Sequence, residues 1–136
     1  MSDPSQVRAD VKARTDTIEE AYEFFLAYAS QGLPTDANTS HPIRDHLQRF
    51  DRALTGIGAF FLDCAKQLGA PDLGPYRRFI DVVDRDARDA QAAIQLVLAQ
   101  SGIGSQTIDN LNASIHVRAL LTDLFLIEEI LTSLAR

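Results

Sequence analysis

Three histidines, one cysteine and a scatter of arginines are the residues of this chain that could do chemistry. His41, His46 and His116 could each accept a phosphoryl group, move a proton or ligate a metal through a ring nitrogen. Metal centres inside helical bundles use carboxylates together with a Glu-x-x-His spacing that projects inward. None of the three histidines follows a glutamate at that spacing. No His-x-x-x-His or Cys-x-x-Cys pair occurs either, so neither structural zinc nor covalent haem attachment is expected. Cys64 falls on an apolar stripe, where a thiol packs as a small hydrophobe without the electropositive setting of a nucleophile. Gly102-Ile103-Gly104-Ser105 has neither the strand before it nor the lysine after it that a phosphate loop requires. These patterns point away from an enzyme, and neither a cofactor nor a metal is expected.

The run Ser40-His41-Pro42-Ile43-Arg44-Asp45-His46-Leu47 resembles the phospho-acceptor box of sensor histidine kinases. In that family an acidic residue follows the histidine and assists it; here Pro42 stands in that place and marks a helix start. His46, Arg49 and Gly56 are similar in spacing to the motif of histidine phosphotransfer proteins, with Phe50 where that family keeps glycine. The resemblance implies an alternative function: a phosphotransfer protein of a two-component-type relay, with His46 or His41 as phospho-acceptor. Without it, His41 belongs to a capping turn and His46 to the amphipathic edge of the core.

A second candidate site lies at mid-length. Gly56 and Gly58 stand close together inside an otherwise helical pattern, and each glycine there costs about 1 kcal/mol relative to alanine. Close helix approach explains them, and so does a cavity for a small ligand. Arg14 and Arg118 fall near the same level, so the ligand would be an anion held by two guanidinium groups.

The elements that must position these residues are legible in the punctuation. Gly32 with Pro34, Gly69 with Pro71, and Gly102 with Gly104 close three segments; Asp3-Pro4, Ser40 with Pro42, Asp72 with Pro75, and Ser105 or Thr107 open them. Between the marks the apolar period is helical. Ile43, Leu47, Phe50, Leu54, Ile57, Phe61, Cys64 and Leu68 alternate steps of four and three, as do Tyr76, Ile80, Val83, Ala87, Ala90, Ile94 and Val97. The first segment is weaker, with Arg14 at an expected core position. The spacing predicts helices over 4–31, 41–68, 74–101 and 107–135. Short connections between helices of similar length favour antiparallel neighbours. The expected fold is all-α: one domain over 1–136, an antiparallel up-down-up-down four-helix bundle.

The last helix carries more apolar residues than one seam can absorb. Ala113 to Leu134 supplies the seam, which leaves Leu121, Phe125, Leu126 and Ile130 without a role and suggests a self-association surface. Composition sets the remaining bounds. With 13 Lys and Arg against 19 Asp and Glu, the 136-residue chain carries a net charge of −6, which disfavours nucleic acid and anionic membranes as partners. No apolar run approaches the ~20 residues of a membrane span, no signal peptide opens the chain, and one cysteine cannot form an internal disulfide. A cytoplasmic location follows as the expectation. The function expected is a non-enzymatic helical interaction or regulatory module, homodimeric and able to sense a small ligand within the bundle, with a protein partner as a further option.

Overall fold

The computed structural model describes residues 3–35 and 41–135, the His41 side chain excepted. Among them are six helices and no strand: α1 (Pro4–Ala29), α2 (His41–Leu54), α3 (Ile57–Gln67), α4 (Leu73–Leu98), α5 (Ser105–Ala113) and α6 (Ile115–Leu134). Two starts follow the capping chemistry of the sequence. Asp3 accepts from Ser5 N at 3.1 Å with Pro4 in the first turn, and Asp72 accepts from Gly74 N at 3.0 Å. Ser40, the expected cap of α2, lies outside the described residues.

Two of the expected helices are divided. The span 41–68 breaks at Thr55 and Gly56, where Gly56 takes φ 70 and ψ 17. That left-handed conformation is open to glycine and costs other residues about 1–2 kcal/mol. The break frees carbonyls at the end of α2, and Arg14 meets two of them: its Nη1 lies 3.5 Å from Ala53 O and 3.4 Å from Thr55 O. The span 107–135 begins earlier, at Ser105, and breaks at Ser114, whose hydroxyl oxygen accepts from His116 N and starts α6. The first helix stops at Ala29 rather than 31, and the third runs 73–98 rather than 74–101.

Burial follows the apolar period across these breaks. Phe25, Phe50 and Phe61 are each 0% exposed, and Leu54, Ile57 and Phe61 continue one buried line through Gly56. In α1 the inward position falls to Thr15 rather than Arg14; Thr15 Oγ1 lies 3.1 Å from Val11 O and 3.1 Å from Glu128 Oε1 of α6. α1 packs on α2 and α5, and α4 packs on α2, α3 and α6. Gln91 of α4 donates to Asp51 O at 3.0 Å, and Gln95 to Asp51 Oδ1 at 3.2 Å. The backbone of Gly58 passes so close to α4 that a Cβ there would lie 2.8 Å from Asp84 Oδ1. Close approach therefore accounts for Gly58, and the left-handed turn for Gly56.

At one end of the molecule a buried serine ties the chain to itself. Ser105 Oγ donates to Tyr28 O at 2.7 Å and accepts from Leu33 N at 2.8 Å, while Ser105 N donates to Leu33 O at 2.9 Å. Arg44 of α2 closes the far end of α4, donating to Leu98 O at 2.9 Å and to Gln100 O. Cations at a helix C-terminus also complement its dipole.

The break at Gly56 generates a measurable expectation. Gly56→Ala should lose about 1–2 kcal/mol in urea unfolding, from left-handed strain alone. Leu54→Ala should lose about 2–5 kcal/mol, from a deleted core side chain. A Gly56→Ala variant more stable than the wild type would mean that α2 and α3 form one unbroken helix.

Candidate functional site

The histidines and the cysteine occupy unlike surroundings. His46 is half-buried, its ring stacked on Phe24 with centroids 3.8 Å apart and planes 12° from parallel. Burial, then the Arg49 charge, lower its pKa, so the imidazole is neutral at pH 7. His116 is exposed in the first turn of α6, with Nδ1 4.0 Å from Asp89 Oδ2. The His41 side chain lies outside the described residues. Cys64 is buried, and desolvation pushes its thiol up to about 11, which leaves it protonated and unreactive. Among the described residues no three His, Cys, Asp or Glu side chains converge as a metal centre would need.

The arginines and glycines expected to share a ligand site are not brought together. Arg118 lines a groove of about 340 Å³ between α1 and α6 with Glu19 and Glu23, among acids rather than beside Arg14. Arg14 lines a groove of about 610 Å³ on the other side of α1, with Arg49 and Arg52 of α2. Gly56 faces open space and Gly58 faces Asp84, so neither opens a cavity.

The surplus apolar residues of α6 divide between two surfaces. Leu121 is 8% exposed and turns inward, with Phe125 (57% exposed) beside it on the α1 side. Leu126 and Ile130, 48% and 39% exposed, instead line a groove of about 410 Å³ with Pro75, Tyr76 and Phe79 of α4. Tyr76 and Phe79 thus join the candidate surface, although helical periodicity places Tyr76 in the core stripe. Further along the same helix pair, Asp123 of α6 meets Asp86 of α4. Asp123 Oδ2 is buried and has no partner among the described residues. Burial first, then a hydrogen bond with Asp86 and its negative charge, push Asp123 up to about 7. Below about pH 7 Asp123 therefore keeps its proton beside the Asp86 carboxyl group. The sequence signal for this pair is spacing: Asp123 stands three residues after Leu120 and four before Ile127, on the face of that unbroken apolar line.

Protein-family models, curated proteins and solved structures give no match to this chain. Its chemistry is therefore read from these side chains alone. An apolar groove can receive a complementary surface. A carboxyl pair that shares a proton can make the α4–α6 contact respond to pH.

The sign of that response follows from proton binding. Folded, Asp123 holds its proton up to about pH 7; unfolded, it releases it near its ordinary value of 3.8. The folded state binds more protons between those limits, so stability falls as pH rises through this window and levels off above it. Moving from 3.8 to about 7 would carry ~4 kcal/mol in a dry site, and water screening at this half-buried pair leaves about 1–2 kcal/mol. His46 acts in the opposite sense, because its folded pKa is lowered. The difference between wild type and Asp123→Asn isolates the pair: in urea unfolding at pH 5 and pH 8, the variant should gain about 1–2 kcal/mol relative to wild type as pH rises. Parallel profiles for the two proteins would remove the shared proton from the account.

Proposed function

We propose that this chain is a non-enzymatic helical interaction module that pairs with a second copy of itself across the α4–α6 face. The observation that carries the reading is the apolar groove in which Leu126 and Ile130 stand beside Tyr76 and Phe79, all on the outside of a core that is already closed. Half-exposed leucine and isoleucine beside two aromatic rings form the kind of surface that gains most from being covered. An uncharged lining and two-fold symmetry favour a second copy as the occupant. Pro75, Tyr76, Phe79, Leu126, Ile127 and Ile130 line the groove, none of them charged, so two copies meet there without opposing like charges. A two-fold axis sets the groove of one copy against that of the other, so the same apolar surface covers Leu126 and Ile130 in both.

The proposed scaffold is an up-down-up-down bundle in which α2–α3 and α5–α6 each act as one broken column. Residue pairs support it, since numbers rise on one column as they fall on its neighbour: Arg14 with Phe60 and Phe24 with His46; Asp51 with Gln95 and Gly58 with Asp84; Asp86 with Asp123 and Asp89 with His116; Thr15 with Glu128 and Tyr28 with Ser105. A reducing, cytoplasmic setting suits the lone buried Cys64, and no described helix is long and apolar enough to cross a membrane.

Sedimentation at micromolar concentration should give twice the chain mass, falling to one chain mass for Leu126→Glu. Leu96→Glu, at an exposed leucine on α4 outside this groove, should keep the wild-type mass. A wild-type chain that sediments as a compact monomer overturns the assignment. Equal loss of the dimer in both variants would place the contact elsewhere.

A further inference from the structure

The groove of about 610 Å³ between α1, α2 and α3 concentrates positive charge in a chain whose net charge is −6. Three arginines line it against one carboxylate, that of Asp10. Arg14 comes from the middle of α1, whereas Arg49 and Arg52 stand three residues apart on one face of α2. Like charges at that spacing repel within a helix, and Arg14 adds a third from across the groove.

Arg14 is held in place. Its guanidinium lies over the Phe60 ring of α3, 4.3 Å from the centroid, and Nη1 reaches the freed carbonyls of Ala53 and Thr55. Those contacts use one of its three nitrogens, and Nε and Nη2 keep their donor capacity. Arg49 is paired with Asp45 at 2.9 Å in an exposed, water-screened contact that competes weakly with a ligand. Arg52 has no carboxylate within 4.0 Å among the described residues. Capping of the broken helix explains where Arg14 sits. It does not explain why Arg49 and Arg52 face the same space.

The remaining walls are Ala13 and Thr17 on α1, Ala53 on α2 and the Phe60 ring, apolar but for the Thr17 hydroxyl. A guanidinium fork matches the paired oxygens of a phosphate or carboxylate, and its planar donors suit bidentate contact. Small side chains and an aromatic ring beside that charge leave room for a flat, non-polar body. The volume falls within the roughly 300–1,000 Å³ of small-molecule sites.

We infer that the α1–α2–α3 groove binds a small organic anion, its phosphate or carboxylate group held by Arg14, Arg49 and Arg52 and its apolar body resting on Ala13, Ala53 and Phe60. This site is separate from the α4–α6 face and does not rest on dimerisation.

Calorimetric titration of the full chain with phenyl phosphate, benzoate and inorganic phosphate tests it, with circular dichroism confirming the helical fold of every variant. Saturable binding is expected for phenyl phosphate or benzoate, weaker for inorganic phosphate, and weakened further by added salt. A response to phenyl phosphate alone assigns the anion as phosphate; a response to benzoate as well admits carboxylates. The Arg49→Gln/Arg52→Gln double variant, altered at exposed side chains away from the core, should bind about tenfold more weakly. Arg118→Gln, in the other groove, should bind as the wild type does. No saturable binding of either organic anion, undiminished binding by the double variant, or equal weakening by Arg118→Gln would each overturn the site.

Discussion

Leu54, Ile57 and Phe61 stay on one buried line although the helix that carries them stops at Gly56. Much of the surrounding structure depends on that combination of continuous burial and interrupted backbone. The apolar line keeps α2 and α3 against the same core, because burial of large side chains is the dominant favourable term. The left-handed glycine lets the chain turn without lifting those side chains out. Two consequences lie beside it: Phe60 comes under Arg14, and Gly58 lets α3 approach α4 at Asp84. The position of Arg14 in the arginine groove thus follows from the way one helix is broken.

The α4–α6 contact is built on a different balance. Near Tyr76, Phe79, Leu126 and Ile130 it is apolar and partly open; further along it places Asp86 against Asp123. Two carboxyl groups in a half-buried seam oppose packing unless they share a proton, whereas the apolar end favours packing at any pH. Solvent conditions can therefore change the grip of this helix pair without touching the side chains at its open end. The α1–α2 contact responds in the opposite sense, through His46 stacked on Phe24, and its centre is Phe25 against Phe50, with ring centroids 5.5 Å apart.

Periodicity in the sequence reports burial faithfully and backbone continuity poorly. The step from Leu54 to Ile57 to Phe61 reads the same whether the helix runs on or stops, so only Gly56 marks the break, and a lone helical glycine also fits close packing. Ser114 is hidden for a similar reason, because Ser105 and Thr107 already offer a cap to the segment. Arg14 and Arg118 differ in level as well as in neighbours, since Thr15 meets Glu128 while Arg118 lies by Glu19 and Glu23, and neither the offset nor the order of helices is written in any single helix's pattern. On α6, apolar residues cover so much of the circumference that pattern alone cannot separate inward Leu121 from half-exposed Leu126. Tyr76 lies on a legible stripe but near its end, where the seam opens. The charge of the arginine groove was out of reach for another reason: it needs α1, α2 and α3 at once.

The Ser105 clasp bears on how the molecule comes together in time. Its bond to Tyr28 O joins positions 77 residues apart, so α2, α3 and α4 all lie inside the loop it closes. Closing a loop of that length carries an entropy cost that local helix formation avoids. That cost favours the pairing of α2, α3 and α4 ahead of the clasp, and a contact formed after them adds little to the barrier on the way in. Interactions absent from the transition state act mainly on the way out. Ser105 is then a latch on the lifetime of the folded state more than a guide to reaching it, holding the first and last parts of the chain together once the middle is complete.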